Sequence, residues 1–340
     1  MCPAKAIFTA GGRERRIPRM SVSPMSVSPM SERWPDLPYA AWKDTRDTLH
    51  LWMQVVGKIK LARMPWLNHS WHVALTVTAR GLSTGPMPDG ARAFQIDVDF
   101  IDHVLWLRTS GGHFRQLVLK PVSVAEFHAD MTIALKELGI AVSINPMPCE
   151  IPDAVPFDRD TAHASYDADS ANRFWRVLLA THDVLTQFRS AFLGKVSPVQ
   201  FFWGSFDLAV TRFSGRAAPR HPGGIPHLPD AVAQEAYSHE VSSAGFWPGG
   251  GPIDTAAFYS YAYPAPPGFA EARVAPGEAF FSKELGEFIL PYDAVRKAAR
   301  PERALMDFLQ STYTAAAELA AWDRDALECG VGEPGKCRVV

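Results

Sequence analysis

The chain is short of most features that would place it at sight. Its 340 residues hold four cysteines, none in a Cys-x-x-Cys pair, too few and too scattered for a disulfide scaffold or a thiolate zinc site. A reducing cytoplasm is the expected setting. No stretch approaches the ~18 uninterrupted apolar residues of a membrane-spanning helix. The formal net charge is -2 with no long block of one sign, which argues against a nucleic-acid surface and a polybasic membrane face. Gly-x-Gly-x-x-Gly after a strand, the P-loop and the Gly-x-Ser-x-Gly elbow are all missing, so no motif supports a nucleotide cofactor or that class of hydrolase.

The composition that remains is that of a globular protein, 47% hydrophobic and 21% charged. The length exceeds the roughly 250–300 residues at which one hydrophobic core stops growing, so two domains or two fused halves are expected. Residues 1–33, with Arg13, Arg15, Arg16, Arg19 and a doubled SVSPM, read as a disordered extension or an early start codon. The Pro- and Asp-rich stretch after Asn145 marks a boundary, giving halves at 34–150 and 167–325, a connector at 151–166 and a flexible tail at 326–340.

Each half reads as a helix, an antiparallel sheet and a helix. Apolar spacing predicts helices over 44–56, 123–138, 170–192 and 301–322, with Gly57, Gly139 and Gly194 as stops. Ser123-x-x-Glu126 is a capping box. Strands are predicted at 71–79, 94–100, 104–109, 114–119 and 140–144, then at 199–203, 206–213, 239–246, 258–263 and 287–290. Ser110-Gly-Gly should turn a hairpin. The fold class is therefore α+β, and local echoes between Val56-Gly-Lys-Ile59 and Leu193-Gly-Lys-Val196 suggest an internal duplication.

The strings DTLHLWMQVVGKIKL, NHSWHVALTVTARGL, DVDFIDH, SPVQFFWGSFDLAVTRFSGR and SHEVSSAGFWPGGG resemble those of a bacterial family known as domain of unknown function 5996. The resemblance runs from about Trp34 to Trp322. It implies membership of a family and carries with it no activity and no site residues.

Candidate chemistry must come from the residues themselves. Alternation along 71–80 and 94–100 puts His72, Arg80, Asp97 and Asp99 on one polar face, a set able to bind a divalent metal or move protons. A plain solvated face is the competing reading. His69 could join His72 at a metal only from a loop before the strand. His50, Gln54 and Lys58, at i, i+4 and i+8, read as the solvated stripe of the first helix.

Aromatics concentrate between Phe201 and Tyr263, as a cleft wall would require. Asp207 lies in an apolar run and needs a partner, with Arg212 or Arg216 expected, or serves as a general base of raised pKa. His239 and Glu240 precede Phe246, Trp247 and three glycines.

The leading expectation is an enzyme acting on a small organic molecule in an aromatic cleft, by metal-assisted or acid–base chemistry. His72, Asp99, Asp207, His239 and Glu240 would be catalytic, and Arg80, Arg212, Trp203, Trp247 and Tyr261 would bind substrate. His72, Asp97, Asp99 and His239 are the metal candidates. The alternatives are a non-catalytic ligand-binding or sensor protein, and a structural subunit docking a partner on exposed aromatics.

Overall fold

The computed structural model describes residues 33–250 and 253–338. Apart from Arg33 the predicted N-terminal extension lies outside the described residues, as do Gly251 and the last two residues of the tail. The described residues gather into one compact unit. None of their helices is long and apolar enough to cross a membrane.

Helix α1 (Tyr39–Arg63) runs a turn and a half past the stop expected at Gly57. The apolar spacing continues through buried Val55, Val56 and Ile59. The helix ends where Pro65 forces Met64 into extended backbone. The predicted strand 71–79 is mostly absent. A 3-10 turn at Asn68–Ser70, with His69 and Ser70 at positive φ, leads into two short strands, β1 (Thr76–Val77) and β2 (Gly81–Ser83).

β3 (Met87–Asp89), β4 (Arg92–Asp99), β5 (Val104–Thr109) and β6 (Phe114–Val118) complete a six-stranded antiparallel sheet. Its order is β1-β2-β4-β5-β6, with β3 paired to β4. The Ser110-Gly-Gly hairpin forms, Thr109 N donating to His113 O. Helix α2 (Val124–Glu137) opens on the expected capping box and gives way to Gly139 at φ +70. Both α1 and α2 pack on this sheet. The 140–144 segment forms no strand and pairs with none.

The second sheet follows α3 (Ala168–Ser190). Its strands are β7 (Gln200–Phe202), β8 (Asp207–Ala217), β9 (His239–Trp247), β10 (Ala257–Tyr263), β11 (Phe280–Ser282) and β12 (Glu287–Pro291), with a short helix α4 (Asp230–Ala236) before β9. The order β11-β12-β10-β9-β8-β7 is antiparallel throughout. α5 (Tyr292–Arg296) and α6 (Pro301–Leu319) follow.

The fold class is α+β, but the two sheets differ in strand order and no duplication is shown. A single bridge, Leu75 to Phe201, links their edges.

Period-two alternation divides the second sheet's residues. Val210, Arg212, Ala244 and Ser260 share the face toward α3 and α6, whereas Ala209, Thr211, Ser243, Tyr259 and Tyr261 share the other. Arg212 is 1% exposed and lies 3.5 Å from the Phe188 ring centroid and 4.3 Å from that of Tyr313, its Nη2 donating to Phe188 O. Among the described residues no carboxylate makes an ion pair with it, and the more distant Glu328 is the one carboxylate whose charge favours its charged form. Its desolvation cost therefore stands against its cation–π and hydrogen-bond gain. Arg212→Met should unfold within about 1 kcal/mol of wild type in urea, a small change for so buried a charge.

Candidate functional site

The second face of this sheet is hollow. A cavity of about 470 Å³ lies over Ala209, Thr211, Ser243, Tyr259 and Tyr261. Val232 and Ala233 of α4 cover it. Trp66, His69 and Trp71 close one side, and Glu150 with Trp203–Ser205 another. Two glycines let the wall pack. A Cβ at Gly57 would fall inside the Trp203 indole, and one at Gly245 would meet the Leu208 carbonyl oxygen and the Tyr259 hydroxyl. Trp203 is fixed by Nε1 donating to Val73 O at 2.9 Å. A more open groove of about 540 Å³ along 139–144 has only His128 and Lys136 as titratable lining residues.

Acid groups converge on the cavity. Asp207 accepts hydrogen bonds from Ser205 Oγ and Tyr259 Oη. Burial pushes its carboxyl up, and the two hydroxyls hold it back. Glu150, drawn into the wall at positive φ with its N–H on Pro226 O, has its pKa pushed up to about 7, by burial first and the Asp207 charge second. Glu287 on β12, which does not itself line the cavity, is raised to about 7 for the same two reasons. Tyr259 is driven well above its ordinary value, and Tyr261 likewise, its hydroxyl 2.9 Å from that of Tyr237. Three carboxyls and three phenols thus share one poorly solvated region.

The residues read as a solvated stripe on α1 are buried instead, Lys58 on the cavity wall and His50 and Gln54 behind it. His50 is 6% exposed, Gln54 0% and Lys58 8%. Gln54 clamps Cys149, taking its N–H on Oε1 and donating Nε2 to its O, both at 2.9 Å. His50 Nε2 lies 2.8 Å from Gly204 O, and burial together with Arg46 pushes its pKa down to about 3. This row holds the two chain segments that present Glu150 and Ser205.

At the other end, His69 Nδ1 donates to Ala236 O and Nε2 accepts from Lys195 Nζ at 2.6 Å. That pairing requires the neutral ring, in keeping with a pKa lowered by burial and by Lys195. His239 lies 6.0 Å from His69 between ring centroids.

Of the residues singled out from sequence, Asp207, Trp203, Tyr261 and His69 line the cavity, and His239 borders it through His69. The others sit elsewhere. His72 is in a turn, not on a strand, so the alternation argument does not apply to it. Its Nδ1 accepts from Leu67 N and its ring packs on Trp66. Asp99 is tied to Arg80, which also holds Asp102, and Asp97 to Ser83, Gln95 and Arg108.

Glu240 pairs with Arg216, not with substrate space, because it points to the opposite face of β9 from Val241 and Ser243. Arg212 faces the helices, so neither expected arginine reaches Asp207; Ser205 and Tyr259 do. Trp247 does not line the cavity, and Gly249 and Gly250 after it lie against Tyr39 and Arg46 of α1. Among the described residues no group of three His, Cys, Asp or Glu is placed to hold a metal ion.

Sequence reasoning missed Glu150, took Lys58 for a solvated residue, and saw Tyr259 only as one of the cleft aromatics, not as the partner of Asp207. Glu150 lay in a Pro-Cys-Glu-Ile-Pro stretch read only as the boundary between the first half and the connector; a carboxylate hemmed by prolines in an apolar context was its one signal. No curated protein and no solved structure is found to be similar to this chain. One family does match, described as "Family of unknown function (DUF5996)", over residues 34–329, and the chain belongs to that family.

Proposed function

We propose that the cavity is the active site of an enzyme that transforms a small organic molecule by acid–base chemistry. The observation that supports it is a pair of carboxyls, Glu150 and Asp207, on the wall of a concave aromatic cavity, Glu150 with its pKa at about 7. A group half-protonated at neutral pH can both give and take a proton, which is where general acid–base catalysis is most effective. Glu150 is the proton carrier in this reading. Asp207 and Tyr259 form a hydrogen-bonded pair that orients a substrate hydroxyl, amine or carbonyl. Trp203 and Tyr261 hold the apolar body.

The test begins with a metabolite screen by ligand-induced thermal stabilisation, followed by incubation of each hit with wild type, Glu150→Gln and Asp207→Asn. Both variants should keep binding and lose at least a hundredfold in turnover, within the ~10²–10⁴ typical of general acid–base groups. Unchanged turnover in both would sink the assignment. A ligand recovered unaltered from wild type would favour the non-catalytic binding reading.

A further inference from the structure

Lys58 stands apart from the other charged groups around the cavity. It is 8% exposed and lines the wall beside Cys149 and Trp203, yet its Nζ makes no hydrogen bond and no ion pair with any described residue. Lys60, half a turn on, shows the usual solution for a buried ammonium, donating to Ala74 O at 2.5 Å. The titratable group that acts on Lys58 is the Cys149 thiol, whose pKa burial pushes up to about 12, so it is uncharged and neutralises nothing. Asp207 is already engaged by Ser205 and Tyr259. Glu150 interacts with Asp207 rather than with Lys58.

A lysine side chain this enclosed without a counter-charge is costly unless something that enters the cavity answers it. It is also held in place, because Gln54, one turn earlier on α1, is clamped to the Cys149 backbone. We propose that Lys58 seats an anionic group of the ligand, so that the substrate is an organic acid. It would have an apolar, ring-bearing body and a hydroxyl or amine for Asp207 and Glu150. A carboxylate or sulfonate on the ammonium gains a charge-assisted hydrogen bond that a neutral ligand cannot. Trp203, Trp71 and Phe213 supply apolar lining for that body. This rests on the cavity being the active site and adds to it the class of substrate.

Two dyes with one ring system test the seat on the full chain. 8-Anilinonaphthalene-1-sulfonate carries an anion, and N-phenyl-1-naphthylamine lacks it. Fluorescence titration of wild type should show the sulfonate bound at least tenfold more tightly. Lys58→Met should erase that advantage while leaving the uncharged dye within twofold, and Lys58→Arg should keep most of it. Lys58→Gln serves in place of Lys58→Met if the latter does not fold. Val232→Trp, which fills the cavity from its cover, should weaken both dyes.

Equal affinities in wild type, or an advantage that survives loss of the lysine charge, would overturn the anion seat alone. The acid–base reading would then still stand. Dye binding that ignores Val232→Trp, or no binding of either dye, would remove the cavity as a ligand site and this inference with it.

Discussion

Gly57→Ala should destabilise the protein by about 2 kcal/mol or more, against the direction that helix propensity alone gives. Glycine inside a helix costs up to ~1 kcal/mol relative to alanine, and Gly57 lies well within α1. At this position, however, the added methyl would lie inside the Trp203 indole. Overpacking of that kind costs ~1–3 kcal/mol, occasionally more, and the struck five-membered ring has little room to yield because its own Nε1 is bound to Val73 O. The indole must leave its place, and it is part of the cavity wall.

Urea denaturation of Gly57→Ala, Trp203→Leu and the double variant would measure this. The double variant should be less destabilised than the sum of the singles by about 1 kcal/mol or more, since the smaller side chain removes the collision. Additive effects would mean that the glycine is there for some reason other than the tryptophan. Either single variant should also weaken dye binding in the cavity.

That glycine illustrates what the sequence could and could not convey. Gly57 reads locally as a helix stop, and only the distant Trp203 explains it as a contact. Helices α2, α3 and α6 and strands β4, β5, β8, β9 and β10 were legible because their apolar periods are long and bounded by caps or turns. The 71–79 strand was not: its alternating pattern is the same whether the chain pairs or turns, and here two residues at positive φ precede it. With that strand gone, His72 no longer shares a face with Asp97 and Asp99.

The site suffered most from the same blindness. Asp207 was visible as a carboxylate in an apolar run, but its partner lies 52 residues on in Tyr259, across two strand pairings. His50, Gln54 and Lys58 looked solvated because polar residues at helical spacing usually are. What buries them is the segment around Cys149, and no periodicity on α1 announces a loop from elsewhere in the chain.

The carboxyl cluster leaves a signature in stability that needs no substrate. An acid whose pKa is higher folded than unfolded binds more protons in the native state between the two values. Its contribution is therefore fully present below the unfolded pKa and is lost as pH rises through the folded one. For Glu150 the window runs from its ordinary 4.5 to about 7. Buried neutral histidines work in the opposite sense: His50, held down at about 3, favours folding increasingly as pH rises toward 6.5. Wild type alone mixes these trends, so the informative quantity is the difference between wild type and Glu150→Gln.

At about 1.4 kcal/mol per pKa unit, that difference should favour the glutamine variant by about 1 kcal/mol at pH 5. It should grow to about 3 kcal/mol at pH 8, as the wild-type carboxyl is forced to ionise beside Asp207. Asp207 and Glu287 titrate with it, so the midpoint belongs to the cluster as a whole. Urea denaturation of both proteins at pH 5, 6, 7 and 8 supplies the curve. A gap that stays constant with pH would show that Glu150 ionises as an ordinary surface carboxyl, and it could not then be the group that carries protons at neutral pH. A gap that opens between pH 5 and 7 would place a proton reservoir on the cavity wall in the same pH range where turnover should change its slope.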